Sequence, residues 1–243
     1  MMTHRVLRPY ATGPFLFLCD HASNEIPVEL SGLGLPPAEL VRHIAWDIGA
    51  AGVTEGLSGI FDSPAVLCGT SRLVIDCNRQ LHAADLIPES SDGTAIPGNL
   101  NLSKAARNAR IEHWFQPYHQ AVEEALLQRE ASRAKTVVVS VHSMTPSLAG
   151  QKRPWQISLS RLSGPGPAEA VLAALRAQGD IVVGDNQPYN LDPDVDYSVP
   201  FHAIRRGLEY IQVEFRQDEI NDVTAQQRWA ERFARALSAV SGL

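Results

Sequence analysis

Short apolar runs rich in branched residues recur along this 243-residue chain, each followed by turn chemistry or an amphipathic stretch. This alternation is the feature that most restricts its fold. Read as strands, the runs cover Phe15 to Cys19, Val66 to Cys68 with Leu73 to Asp76, Thr136 to Val141, Trp155 to Leu159, Ile181 to Val183 and Tyr210 to Phe215. Continuous apolar runs of this kind suit strands covered on both faces. The stretches between them predict four helices. The first runs from Pro36-Pro37 to about Leu57, and the second from an N-cap at Ser103 to about Arg133, kinked at Pro117. The third runs from Pro167 to Gln178 and ends near Gly179; the fourth starts at the capping box Thr224-Ala-Gln-Gln227 and continues to about Val240. The pattern predicts a three-layer α/β/α arrangement with a mostly parallel or mixed central sheet. With no internal repeat, low-complexity tract or charged linker, residues 1–243 read as a single domain. Leu81 to Asn101 is the longest candidate loop, either a lid or an ordered Ω-loop.

A formal charge of −6 with scattered Lys and Arg provides no broad basic face, so nucleic acid is an unsuitable partner. Cys19, Cys68 and Cys77 are odd in number and lack CxxC spacing, which argues against a disulfide framework and a thiolate metal site and predicts a reduced, cytoplasmic setting. The first residues lack the apolar core of a secretory signal, and no run approaches a membrane span.

Ligands of open α/β sheets bind beyond the carboxyl ends of the strands, so the polar residues there carry the functional information. Asp20-His21 follows the first run and His142-Ser143 the run ending at Val141. Glu214 lies on the last run, and Leu73 to Ile75 leads into Asp76, Asn78 and Arg79. Two neutral imidazoles and one carboxylate, with a fourth position open to water, are the ligand set of a catalytic zinc. His21 and His142 are the candidate imidazoles. Glu25 is the first choice of carboxylate, because i to i+4 spacing stacks it under His21 if the chain turns helical there. Asp47, in the apolar stretch IAWDIGA, is the alternative. Arg72 and Arg79 are candidates for gripping a substrate carboxylate, since the guanidinium fork matches that group. Plainer readings stand beside each of these: a hydrogen-bonded core histidine, a first-turn acid, a structural Arg–Asp pair. Arg205-Arg206 is a weaker second anchor. A thiol hydrolase built on Cys19 or Cys77 with His21 is disfavoured, because no nucleophile elbow surrounds either cysteine. HExxH is absent.

Taken in order, CDHASNEIP, WDIGA, SRLVIDCNR, VHSMTP, GDNQPYN and VEFRQD resemble the N-formylglutamate amidohydrolase family, from about Phe15 to Asp218. The resemblance implies a fold like that of the zinc-dependent exopeptidases of the carboxypeptidase type, phosphorylase/hydrolase-like in architecture. It implies zinc, or another divalent metal, held by His21 and His142. By the same resemblance, Asn78-Arg79 is the carboxylate clamp and Glu214 the general base. Ser143 joins the substrate-binding set, as do Tyr189 and Asn190 of the turn-rich GDNQPYN, for which capping a loop is the plainer reading. One departure stands out: the carboxypeptidase-type motif is His-x-x-Glu, whereas position 24 here is Asn and the acid is Glu25. The implied activity is hydrolysis of a small N-acyl amino acid, at its simplest N-formyl-L-glutamate. Another acylated amino acid or small peptide is the rival substrate, and a non-catalytic module binding an acidic metabolite is the rival function.

Overall fold

Seven strands form the central sheet of the computed structural model, which describes residues 2–164 and 166–240. They are β1 His4–Leu7, β2 Phe15–Cys19, β3 Ala65–Cys68, β4 Val137–Met144, β5 Ile157–Ser160, β6 Val183–Asp185 and β7 Glu209–Arg216. Their order is β1-β3-β2-β4-β7-β5-β6. The inner strands β3, β2, β4 and β7 are parallel; β1 joins β3, and β5 joins β7, antiparallel. β2, β3 and β4 are buried at every residue, as the continuous apolar runs anticipated. β1 had no such signal: it is an edge strand with exposed central residues.

Side chains alternate across the sheet, and the alternation assigns each helix its layer. Phe15, Phe17, Val137, Val139, Val141, Ile211, Val213 and Phe215 pack in one apolar layer with α2 Ala50–Ile60, α5 Pro167–Arg176 and α6 Val223–Leu237. Trp229, Phe233 and Leu237, spaced by four, form the buried stripe of α6. Burial of each is worth about 1.5–3 kcal/mol, well above the few tenths that separate helix propensities, so packing decides this helix. Leu16, Leu18, Val66 and Val138 point the other way, toward α4 Gln116–Ala131.

The structure corrects several predicted boundaries. The first predicted helix is two: α1 Pro37–Leu40 stops after one turn, and residues 41–49 are a chain of turns before α2. Gly49 ends those turns in the left-handed region at φ 82°, where a Cβ would lie 2.3 Å from the Ile220 carbonyl oxygen. The second helix starts at Ser103 as expected, its Oγ accepting from Ala106 N. It divides into α3 Lys104–Arg110 and α4, joined by a wide turn over Ile111–Phe115 that supplies the irregularity Pro117 needs. α6 is capped by Asp222 rather than by the Thr224 box, the Asp222 carboxylate accepting from Ala225 N.

Leu73 to Asp76 is not a strand. It is a buried turn whose carbonyls are satisfied by side chains, Asn99 Nδ2 donating to Leu73 O and Arg110 to Val74 O. The segment 81–101 is ordered by short 3₁₀ turns and by a two-residue ribbon pairing Ser90–Ser91 with Thr94–Ala95. No helix among the described residues is long and apolar enough to cross a membrane.

Candidate active site

The alternation that buries Val137, Val139 and Val141 on one face of β4 sends Ser140 and His142 to the other. On β7 it sends Gln212 and Glu214 the same way. Near the carboxyl ends of β2, β4 and β7 and the amino end of β5 the second face thus changes from apolar to polar, with Asp20, Ser140, His142, Ser158, Gln212 and Glu214 all buried. These residues lie beneath a cleft of about 670 Å³.

His21, Asp47 and His142 meet at its base, with one donor atom from each lying within 4.8 Å of the others. His21 follows β2 directly. Asp47 arrives through the turns before α2, tied down by Asp47 N donating to His21 O at 3.0 Å and Ser143 Oγ donating to Ile48 O at 2.9 Å. His142 comes from within β4, so a histidine read as following a strand is part of it.

The outer nitrogens of both imidazoles meet acids. His21 Nε2 is 2.7 Å from Asp76 Oδ1, and His142 Nε2 is 3.3 Å from Asp20 Oδ2 and 3.0 Å from Ser140 Oγ. A carboxylate can only accept, so these nitrogens carry the protons and the Nδ1 atoms face inward. Both Nδ1 atoms approach the same Asp47 oxygen, at 3.4 and 3.0 Å. Asp47 cannot donate either, so each Nδ1 must hold a second proton or share a cation with Asp47. Inward-facing nitrogens backed by carboxylates are the arrangement of histidine–metal sites, and two imidazoles with one carboxylate suit zinc.

Electrostatics point the same way. Burial opposes ionisation of Asp20, but His142 and the Ser198 hydroxyl outweigh it and hold the carboxyl below the usual range. Burial likewise opposes Asp47, and the two imidazoles carry it lower still. Asp76 is depressed against its burial by Arg72 and His21. Burial disfavours charge on His21 and Arg72 adds to that, yet Asp76 and Asp47 raise its pKa overall; His142 is raised against burial by Asp20 and Asp47. Glu214 departs from these three acids: burial pushes its carboxyl up to about 7, and burial raises Asp196 on the cleft wall as well.

The predicted residues divide in their placement. Glu25, the first choice for third ligand, does not reach the cluster. The chain after His21 is irregular rather than helical, and the Glu25 side chain is exposed. Asp47 occupies the place expected of it. Arg72 lines the cleft, but its fork is bound to Asp76 at 2.8 and 3.1 Å and to Asp47 at 3.3 Å, the structural pairing. Asn78 spends its amide on the neighbouring loop, donating to Asp196 Oδ1 and accepting from Tyr197 N and Ser198 N. Arg79 also lines the cleft and donates to Asp85 at 2.9 Å. Ser143, Tyr189 and Asn190 line it too; Ser143 N donates to Asp47 Oδ2, and Asn190 Nδ2 to Leu191 O. Arg205 and Arg206 lie elsewhere, beside Phe201 and Glu123. Cys19 and Cys77 are buried outside the cleft, and their thiols are pushed up, Cys19 by burial and Cys77 by its contact with Cys68.

The sequence reading passed over Asp196, Gln212, Arg153 and the supports of Asp20. Tyr118 and Ser198 both donate to Asp20 Oδ1, at 2.8 and 2.5 Å. Gln212 and Ser140 were accessible from strand alternation; Arg153 lies in an irregular segment, and Ser198 heads the short helical turn Val199–Ala203, which no sequence pattern announced.

Comparison with known proteins now gives these features a context. The model of the family N-formylglutamate amidohydrolase matches residues 13–221. A solved structure of gene product Atu2144 from Agrobacterium tumefaciens is similar at 34% identity and TM-score 0.92, covering 98% of this chain and 96% of that one. The N-formylglutamate amidohydrolase of Ralstonia eutropha JMP134 is similar in fold, at 17% identity and TM-score 0.73, with 99% and 98% covered. No curated protein matches the sequence.

Proposed function

Because the chain belongs to the N-formylglutamate amidohydrolase family and is an amide-cleaving hydrolase, we propose that it is metal-dependent and acts on a small N-acylated amino acid. N-formyl-L-glutamate is the simplest such substrate, giving formate and L-glutamate. The observation that carries this reading is the inward convergence of His21 Nδ1, His142 Nδ1 and Asp47 Oδ2, with Glu214 on the adjacent strand.

His21, Asp47 and His142 would hold the metal. When bound, zinc acidifies a water and polarises a carbonyl oxygen. Asp76 and Asp20 keep the imidazoles in the tautomer that turns Nδ1 inward. Glu214, with a carboxyl at about 7, gains and loses a proton near neutrality, the property required of an acid/base that takes a proton from water and returns it to the leaving amine. The seal of Leu16, Leu18 and Val138 behind the polar layer keeps the cleft base dry, which strengthens each of these interactions.

The test is a screen of the zinc-loaded protein against N-formyl and N-acetyl amino acids, reading formate or acetate release. Formate release that disappears on chelation and returns with zinc is the expected result. No release from any member, with stoichiometric zinc bound, sinks the reading.

A further inference from the structure

An acidic cleft that accepts an acidic substrate needs a positive group that is still available. Acids outnumber arginines along its wall, with Asp47, Asp76, Asp85, Asp92, Asp192, Asp196 and Glu214 facing Arg72, Arg79 and Arg153. Arg72 is neutralised by Asp47 and Asp76, and Arg79 by Asp85. Arg153 has no carboxylate within ion-pair distance among the described residues.

Arg153 is only 7% exposed. Two other buried arginines also lack carboxylates, but their forks are spread over carbonyls away from the cleft: Arg110 on Val74 O and Gly98 O, Arg129 on Gly13 O and Lys135 O. Arg153 is different. Its NH2 donates to Tyr189 Oη at 2.7 Å, its NH1 reaches Thr145 O only at 3.3 Å, and Nε has no acceptor among the described residues. The Tyr189 ring lies 4.9 Å from the guanidinium carbon, stiffening the fork without neutralising it.

The backbone at Arg153 is fixed as firmly as the side chain. Its N donates to Pro146 O, and its carbonyl accepts from Arg216 NH1 at 3.2 Å. In the ladder, Arg216 pairs with Met144 and Glu214 with His142. Arg153 is therefore tied through the Arg216 side chain to the strand end just beyond the cluster, and it lines the same cleft as His21, Asp47, His142 and Glu214.

We propose that Arg153, braced by Tyr189, is the residue that grips the substrate's carboxylate, and that Arg72 and Arg79 instead hold the protein's own acids in place. This assignment rests on the hydrolase reading for its substrate class but has its own readout. A single available guanidinium in an otherwise acidic cleft also selects for a carboxylate near the scissile amide and against neutral amides.

The experiment uses the zinc-loaded protein and titrates N-acetyl-L-glutamate and its neutral bis-carboxamide calorimetrically into wild type, Arg153→Ala, Arg153→Lys and Arg79→Ala. Formate release from N-formyl-L-glutamate is measured in parallel. Arg153→Ala is expected to weaken the acid by on the order of 10- to 100-fold, the loss of hydrogen bonds to a charged group. The bis-carboxamide should change less than threefold, and Arg153→Lys should recover part of the loss. Equal losses for acid and amide, or loss of selectivity in Arg79→Ala instead of Arg153→Ala, overturn the assignment. Thermal melting guards against misfolding; if Arg153→Ala is unstable, the Arg153→Lys and Arg79→Ala comparison decides. Failure of the hydrolase reading looks different: the acid binds through Arg153 but wild type releases no formate.

Discussion

Glu214 and His142 are cross-strand partners on the parallel pair β7 and β4, both directed to the polar face of the sheet. One ladder step thus joins the acid whose carboxyl sits at about 7 to an imidazole of the candidate metal cluster. Glu214→Gln preserves shape and removes the titration. The proposed mechanism predicts a fall in kcat of about 100-fold or more, with little change in KM, and loss of the limb of the pH–rate profile near 7. A variant with near wild-type kcat on N-formyl-L-glutamate would remove Glu214 from proton transfer.

The identity of the third ligand separates cleanly by mutation. Asp47→Asn should weaken zinc binding severely, whereas Glu25→Gln should leave it unchanged because the Glu25 side chain is exposed. Asp76→Asn removes no ligand but weakens the support of His21, along with the pairing to Arg72, and supports of this kind are worth about 10- to 100-fold in affinity. Competition with a zinc chelator ranks the three; an effect of Glu25→Gln equal to that of Asp47→Asn contradicts the geometry.

Gly49 turns the chain from Asp47 into α2 with a positive φ, and an added Cβ there would run into Ile220 O. Gly49→Ala combines left-handed strain with a backbone clash, so it should cost at least about 2 kcal/mol by denaturant unfolding. Zinc affinity should fall with it, because the same turn carries Asp47. A variant as stable as wild type would show that the turn adapts freely.

Stability should carry an opposed pair of pH dependences. His119 Nδ1 lies 2.9 Å from His202 Nε2, and burial lowers the two rings to about 4 and about 3. Their folded values lie below the ordinary 6.5, so the unfolded chain binds more protons in that interval and stability drops as pH falls from about 6.5 toward 4. Glu214 acts with the opposite sign: its folded value of about 7 exceeds the ordinary 4.5, so stability drops as pH rises between them. The depressed Asp20, Asp47 and Asp76 titrate below this window, and the raised His21 and His142 above it. Two histidines outweigh one glutamate, so the stability of the metal-free protein in urea should fall by on the order of 2 kcal/mol from pH 6.5 to 4.5. In Glu214→Gln, which lacks the opposing group, the fall should be about twice as large. Parallel curves for the two proteins refute this balance.

The fold was legible where local pattern and final environment agree. Phe15 to Cys19 is apolar on both faces because helices or buried turns cover both, and that can be read from the chain. Leu73 to Ile75 is equally apolar and equally buried, yet it is a turn, because Asn99 and Arg110 provide the hydrogen bonds a neighbouring strand would have supplied. Nothing within the run reveals those distant donors. The candidate site shows the same division. His21 and His142 follow from strand positions, whereas the choice between Glu25 and Asp47 depended on whether the chain coiled after His21, and local spacing could not decide it. Arg153 sits in a short irregular stretch before β5, and its significance comes from lacking a partner, a property that exists only in three dimensions.

Arg110 ties Val74 O, Gly98 O and Asn99 Oδ1 to one buried guanidinium. The turn bearing Arg72 and Asp76 and the segment behind Pro88 are thereby riveted to α3, where Arg107 adds bonds to Leu81 O and Ala83 O. They belong to one cooperative unit: the amide protons of that wall exchange with solvent only when the rivet opens, so rigidity at the cleft is inherited from a helix that never touches it.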